Sequence, residues 1–387
     1  MLNKILIIGQ SKTSQTEKIS KFYANKTINL DVVLYESLVN EKVCLHILNY
    51  KNGILKKRND IDINFPKLKL PSILKYILKY SLYKKSILKY LKNDEYDIFL
   101  GISLTASLLF KKNSKVKAYY CSEYYIKHEN ISQYLFNFLY KKYDIKLLKK
   151  FDSIINISPS INKARRSLFK NTNLYINKFF YTPQNYPIQN NDYKYNYNSK
   201  NIVFIGTISP NQYLKEFVKI INTMNQKYEF NLNFNIIGTG PYQNELIEYI
   251  NKNNYKNVNL FGYIDSEIEV LKMIKDSLLG YALWNENKND NSYYSDSGKP
   301  KFYTSIGIPV IISKHIYSAK FYKRFNAGIV VENEQEHIIK KLINYLNLSK
   351  NKKIEYHKNG KKLANLWDTN VILNKQFNFL KKKLDIN

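Results

Sequence analysis

The chain has 387 residues, 44% of them hydrophobic, which is too long for one compact core and suits two globular domains. Lys+Arg 61 against Asp+Glu 31 leaves a net charge of +30, favouring a polyanionic partner: phosphorylated substrates, an anionic membrane surface or nucleic acid. An A+T-rich coding bias toward Lys, Asn, Ile and Tyr accounts for part of that excess, and two cysteines, Cys44 and Cys121, exclude a disulfide scaffold and read as reduced thiols of a cytosolic protein.

The N-terminal MLNKILIIGQ reads as a first strand and not as a signal peptide. No run approaches the ~18 apolar residues of a bilayer span. Lys4 to Ile8 is a buried-strand run reaching Gly9, and Ile19 to Tyr23 begins a helical pattern, so the chain opens as a Rossmann-like unit. Asp31 to Tyr35 and Val43 to Leu48 are further strand candidates. Ser72 to Lys92 repeats apolar pairs at helical spacing, with Lys75, Lys79, Lys84, Lys85, Lys89 and Lys92 beside them. This basic amphipathic helix reads either as a membrane-surface element or as a helix packed on the sheet with a solvated lysine face.

The strand Tyr96 to Ile102 follows, placing Ser103 and Thr105 at its carboxyl end, where parallel sheets bind ligands. Ala118 to Cys121 runs into SEYYIKHEN, in which Glu123 and His128 are the nearby pair resembling a general base and its assistant. A long helix, Ile131 to Lys150, leads to the strand Ser153 to Ile157, and Arg165 and Arg166 extend the basic face. Residues 186–200 are polar and turn-rich and read as a linker.

A second cycle starts at Asn201. IVFIG ends at Gly206, and the strand Leu232 to Ile237 ends in GTGP, where Gly238 and Gly240 permit close backbone approach. As a dinucleotide fingerprint this pattern is weak, because its third glycine is absent. Val258 to Phe261 and Gly280 to Trp284 are the next strands. In YSDSGKPKFYTSIGIPVII the segment Ser295 to Gly298 reads as a capping loop, Lys299 to Ser305 as one short helix and Val310 to Ile312 as a buried strand. Lys299 beside a helix start suits a pyrophosphate. The last strand and helix are Gly328 to Val331 and Glu334 to Leu348.

In order and spacing, IVFIGTIS, FNIIGTGPYQNEL, VNLFGYID, LLGYALW, GKPKFYTSIGIPVIIS and AGIVV resemble the nucleotide-sugar-binding half of GT-B glycosyltransferases. The likeness is to the large retaining family of the family-four type, which includes many cell-surface polysaccharide enzymes. The first half resembles the acceptor half of the same enzymes, with Glu123, Tyr124, Asn137, Tyr140 and Asp144 at familiar positions. The resemblance implies an α/β fold of two Rossmann-like domains whose parallel sheets face across a cleft. Its boundaries are 1–185 for the acceptor side, 186–200 for the linker and 201–365 for the donor side, with 366–387 as a helix returning to the first domain.

The same resemblance implies donor contacts from Gly206, Thr207, Gly238, Gly240, Glu286, Ser297, Gly298, Lys299 and Tyr303. Acceptor contacts would come from Ser103, Thr105 and Tyr124, and catalysis from Glu123 with His128. The usual Glu-x7-Glu motif is missing, since Tyr294 and Phe302 stand at its two places, and Thr207 stands where an arginine is common. This matches a branch that includes some galactofuranosyltransferases. A nucleotide sugar and a saccharide or lipid-linked glycan are the implied substrates, with no metal or other cofactor; the expected location is cytoplasmic, with the basic stretch Ser72 to Lys92 offering peripheral attachment to the cytoplasmic membrane face. A basic nucleic-acid-binding protein and a GT-B-fold epimerase are the alternatives. The first lacks any nucleic-acid motif, and the second needs more placed acids and bases than five histidines suggest.

Overall fold

The computed structural model describes residues 2–11, 13–36, 43–65, 72–91, 94–109, 113–122, 124, 131–166, 178–188, 195–287 and 291–385. They divide into two compact units, one formed by Met1–Pro183 with Ile372–Asn387 and the other by Gln184–Val371.

In the first unit the elements are β1 (Leu2–Gln10), α1 (Ser14–Ala24), β2 (Thr27–Tyr35), β3 (Cys44–Lys51), β4 (Ile54–Asp62), α2 (Ser72–Tyr90), β5 (Tyr96–Ile102), α3 (Leu104–Leu108), β6 (Ser114–Cys121), α4 (Ile131–Lys150), β7 (Ser153–Asn156), α5 (Pro159–Arg166) and β8 (Phe179–Tyr181). The sheet order is β4-β3-β2-β1-β5-β6-β7-β8. From β2 across to β8 the pairing is parallel, and Ile5 to Ile8 of the first strand are fully buried, as expected of a strand covered on both faces. The expectation of a purely parallel sheet is corrected at one edge, where β3 and β4 are antiparallel. No apolar alternation marks ILKKRNDID as a strand. Gly53 makes it one, because its φ of 81° lets the chain reverse in a tight turn after β3.

The second unit runs β9 (Asn201–Ile205), α6 (Leu214–Tyr228), β10 (Asn233–Ile237), α7 (Gln243–Lys252), β11 (Val258–Gly262), α8 (Glu267–Ile274), β12 (Leu279–Ala282), α9 (Asn291–Tyr294), α10 (Lys299–Ser305), β13 (Val310–Ser313), α11 (Ala319–Phe325), β14 (Gly328–Val331), α12 (Gln335–Leu346) and α13 (Lys350–Ala364). Its parallel sheet has the order β11-β10-β9-β12-β13-β14. Counted from the first strand this is the doubly wound order 3-2-1-4-5-6. Helix α6 buries Leu214, Phe217, Val218, Ile220, Ile221 and Met224 at helical spacing against that sheet.

Residues read as linker are anchored in this unit. Tyr195 is buried, and its hydroxyl donates to the Leu278 carbonyl at 3.0 Å; the Tyr186 amide donates to the Trp367 carbonyl at 3.2 Å. The final helix, α14 (Thr369–Leu384), sets Phe377 edge-on to Tyr23 and stacks Phe379 on Phe180 in the first unit.

Helix α10 holds the key stretch, and its capping differs from expectation. Gly298 is its N-cap, without a side-chain cap bond, while Asp296 is buried and bonds the buried Lys301 ammonium. Burial pulls the Lys301 ammonium below its ordinary value and Asp296 opposes that shift. The ammonium also lies 5.2 Å from the Trp367 ring centre. Below the helix, the Thr304 hydroxyl donates to the Pro300 carbonyl at 2.6 Å and shares a 2.7 Å bond with the Tyr322 hydroxyl. Removing one partner from a buried ion pair typically costs about 3–5 kcal/mol, because the other charge stays buried alone. Lys301→Met should therefore lower the thermal midpoint sharply, and pairing it with Asp296→Leu should restore most of the loss in a denaturation experiment.

Candidate functional site

A doubly wound sheet offers a crevice where the strand order reverses, outside the carboxyl ends of its two central strands. Here those strands are β9 and β12. The chain leaves β9 at Gly206, with φ of 127°, and leaves β10 at Gly238, with φ of 135°. A Cβ on Gly238 would sit 2.0 Å from the Gly206 carbonyl oxygen, and one on Gly206 would sit 2.8 Å from Lys299 Cε. The positive φ favours glycine at both places, and at Gly238 the neighbouring backbone leaves no room for a side chain, whereas at Gly206 a side chain would displace the end of Lys299. The Gly206 amide donates to the Ile237 carbonyl at 2.9 Å and the Gly238 amide to the Gly262 carbonyl at 2.7 Å, so three strand ends are laced together.

Lys299 enters this cradle from the first turn of α10. Its ammonium lies 4.1 Å from the Phe204 ring centre and 5.6 Å from that of Trp284, and donates to Gln212 Oε1 at 2.7 Å. Burial pushes its pKa down to about 7. Lys299 is half-buried among neutral contacts, and no carboxylate is paired with it among the described residues. Its charge is therefore not neutralised by a carboxylate among the described residues.

Lys299 and Lys301 lie two residues apart, roughly 200° around a helix, so they take opposite sides. The second is paired with Asp296, and the first bonds the neutral Gln212. Tyr303 is fully buried under the sheet, where its hydroxyl accepts the Ile205 amide at 2.9 Å; it supports the end of β9. Ser297 Oγ accepts the Lys299 amide at 3.3 Å. Gly298 packs by the Tyr186 ring, Thr207 and Glu286 are exposed, and Gly240 is half-buried beside the Ile208 backbone. The structure thus gathers Gly206, Gly238 and Lys299 at one point with Ser297, Gly298 and Tyr303 as supports. Sequence reading missed Gln212, Phe204 and Trp284. Phe204, in the strand run before Gly206, and Trp284, just beyond β12, both occupied legible places, but only the fold turns their rings toward a lysine.

In the first unit Ser103 ends β5 with φ of 95°, a strained value for serine. Its Oγ accepts the Ala106 amide at 3.3 Å and shares a 3.1 Å bond with the Tyr35 hydroxyl. Thr105 Oγ1 bonds the Tyr76 hydroxyl at 2.6 Å. Tyr124 is a core residue, 1% exposed, edge-on to Tyr140 and 5.6 Å from the Arg165 guanidinium. Arg165 itself corrects the reading of a basic face: it is buried, with Nε and Nη2 on Asp144 at 2.8 and 2.7 Å and Nη1 on Asn156 at 2.7 Å. Lys79 is likewise buried, over the Phe65 ring. Glu123 and His128 lie outside the described residues. So does Lys92.

Phe302, at the place of the missing second glutamate, is buried and packs on Tyr186 at 5.3 Å between ring centres. An apolar contact stands where a carboxylate is common.

No protein-family model matches the chain and no curated protein matches it. Solved structures do. Sucrose-phosphate synthase from Thermosynechococcus elongatus superposes with a TM-score of 0.75 over 100% of both chains, at 12% identity. HepE from Anabaena, solved in complex with UDP, gives 0.65 over 98% of this chain and 100% of its own, at 13% identity. TarM from S. aureus, in a complex that includes UDP, gives 0.60 at 16% identity, with this chain spanning 66% of its length and matched over 90% of its own. At such identities the likeness concerns architecture. With two Rossmann-like units and parallel-dominant sheets, the chain has the GT-B fold.

Proposed function

We propose that this protein is a glycosyltransferase that moves a sugar from a nucleotide-sugar donor to a saccharide or lipid-linked glycan acceptor in cell-surface polysaccharide synthesis. The carrying observation is Lys299, an ammonium near the Phe204 and Trp284 rings and beside two positive-φ glycines at the switch point of the second unit. Glycosyl transfer breaks the bond between the sugar and a diphosphate, so negative charge grows on the leaving oxygen. A cation in a desolvated place stabilises that charge more than one in water does. Lys299 supplies it here, in a scheme that needs no metal, and the loops at Gly206 and Gly238 let phosphate oxygens approach the backbone. HepE and TarM were solved with UDP, which makes UDP the first nucleotide to try. The apolar Phe302 in place of a glutamate supports the hexosyl- or galactofuranosyltransferase branch suggested by the sequence.

Attachment to an anionic membrane belongs to the same proposal. Among the described residues no helix is long and apolar enough to cross a membrane. Helix α2 exposes Leu74, Ile77 and Leu88, and α4 exposes Tyr134, Leu135 and Phe138, with Lys84, Lys85, Lys89 and Lys142 also exposed on these helices. The two helices touch through Tyr76 and Phe136, 5.8 Å between ring centres. Apolar and aromatic side chains among lysines suit the headgroup region of an anionic bilayer.

Three measurements test the proposal. By calorimetry, Lys299→Ala should weaken UDP binding roughly tenfold to hundredfold, the loss of one charged hydrogen bond of about 1.5–3 kcal/mol, while the thermal midpoint stays unchanged. Because Lys299 loses its proton near pH 7 in the free protein, wild-type affinity should fall as pH rises through that value, and the Lys299→Ala variant should lose that pH step; equal affinities for the two proteins refute the site.

If Glu123 is the acceptor-side base, Glu123→Gln should cut turnover by about 100-fold or more with UDP affinity intact. Near-normal turnover would exclude that role.

Sedimentation with anionic vesicles at low salt should pellet the protein, and high salt should release it. Changing Lys75, Lys84, Lys85 and Lys89 to Gln should abolish pelleting, since each contributes roughly 1 kcal/mol near such a surface. A quadruple variant that pellets like the parent would assign the charge to coding bias.

A further inference from the structure

The edge strand β4 stands apart from the rest of the first unit. It is nine residues long, ends the sheet, and is exposed along nearly its whole length, with Ile54 59% and Leu55 45% accessible. No strand pairs with its outer edge among the described residues. A free edge of this length is a template for another strand. Charges usually guard such edges by opposing like with like, so their order along the strand decides whether this edge repels or attracts its own copy.

The order here is polar. Lys56, Lys57 and Arg58 fill the first half, and Asp60 and Asp62 the second. The ladder with β3 fixes which backbone groups face outward. Ile63 donates its amide to the Val43 carbonyl, and the register pairs Cys44 with Asp62 and His46 with Asp60. In an antiparallel pair inward and outward groups alternate, so Ile61 and Asn59 face β3, whereas Arg58, Asp60 and Asp62 turn their N–H and C=O groups outward. The bulge near Lys56, where the register shifts between Asn49 and Tyr50, ends this regular outward row.

Two copies related by a two-fold axis must pair antiparallel, and only outward residues can meet outward residues. Centring the axis on Arg58 opposes two arginines, and centring it on Asp60 opposes two aspartates. Centring it on Asn59 sets Arg58, which meets Asp60 of its own strand at 3.1 Å, against Asp60 of the second copy twice over, so that the two ion pairs join in one alternating cluster. One register of three is free of like-charge opposition, and in it the outward-facing Arg58 and Asp60 of the two copies are charge-complementary.

We propose that β4 is a self-association edge, through which two copies of this chain join their sheets antiparallel about Asn59. The interface lies in the first unit and does not depend on the donor-site reading. A single strand pair is smaller than the ~1,200 Å² of stable interfaces, so the dimer forms at high protein concentration and separates on dilution.

Sedimentation velocity over a dilution series should show a monomer–dimer equilibrium that weakens with salt. The variant Lys56→Asp with Arg58→Asp should be monomeric, as should Asp60→Lys with Asp62→Lys, and mixing the two should restore a dimer. Circular dichroism checks that each variant folds. Hydrogen exchange of the wild type supplies a readout without mutation: the amides of Arg58, Asp60 and Asp62 should slow as concentration rises. A wild type that stays monomeric at its highest soluble concentration overturns the proposal, as does a dimer that survives both charge reversals or leaves those three amides unprotected.

Discussion

The buried pair between Lys301 and Asp296 is the constraint on which the candidate site rests. Both side chains are fully out of water, a costly arrangement unless the charges meet. The pair ties the loop before α10 to the helix itself and sets the rotation of a seven-residue helix that is too short to be stable alone. Once Lys301 faces inward, helical geometry turns Lys299 to the other side, toward the glycine loops. Thr304, Tyr303 and Tyr322 hold the same helix from beneath. Lys299 is therefore positioned by a second lysine, Lys301, whose own charge is already paired.

The site itself combines two opposing demands. An ammonium partly withdrawn from water loses stability as a cation, and this burial pulls the Lys299 pKa down to about 7. The Phe204 and Trp284 rings and the Gln212 amide oxygen compensate only in part, because none carries a full negative charge. An arriving diphosphate would supply what the fold withholds. A carboxylate in the place of Gln212 would fold as well or better and would cancel the charge.

In the first unit the same principle gives the opposite outcome. Arg165 is buried with bidentate contact to Asp144 and a third bond to Asn156, between the Tyr119 and Tyr124 rings. Its charge is fully used, so it serves the packing of α4 and α5 and not a surface field. Much of the net charge of +30 must then act through exposed lysines such as those of α2 and α4, and only part of the basic face read from the sequence is available to a partner.

The doubly wound architecture was legible in the sequence because buried parallel strands are continuous apolar runs, and the helix Lys299 to Ser305 was bounded by Gly298, Gly307 and Pro309. Gly206, Gly238 and Lys299 were legible as candidates for the same reason: backbone that must approach a ligand closely excludes side chains, and that demand is local. Four features depended on tertiary structure. β4 has no apolar alternation, since its pairing comes from the turn at Gly53 and from β3. The buried states of Lys79, Arg165 and Lys301 cannot be told from solvated lysines and arginines by spacing, because even a partner as near as Asp296 is to Lys301 does not show that the pair is enclosed by packing such as that of Trp367. Tyr124 looked like a contact residue and is core. The aromatic and amide surroundings of Lys299 come from Phe204, Gln212 and Trp284, three separate segments. Sequence determines which residues can carry a charge, but only long-range packing decides whether that charge is neutralised, solvated or kept for a ligand.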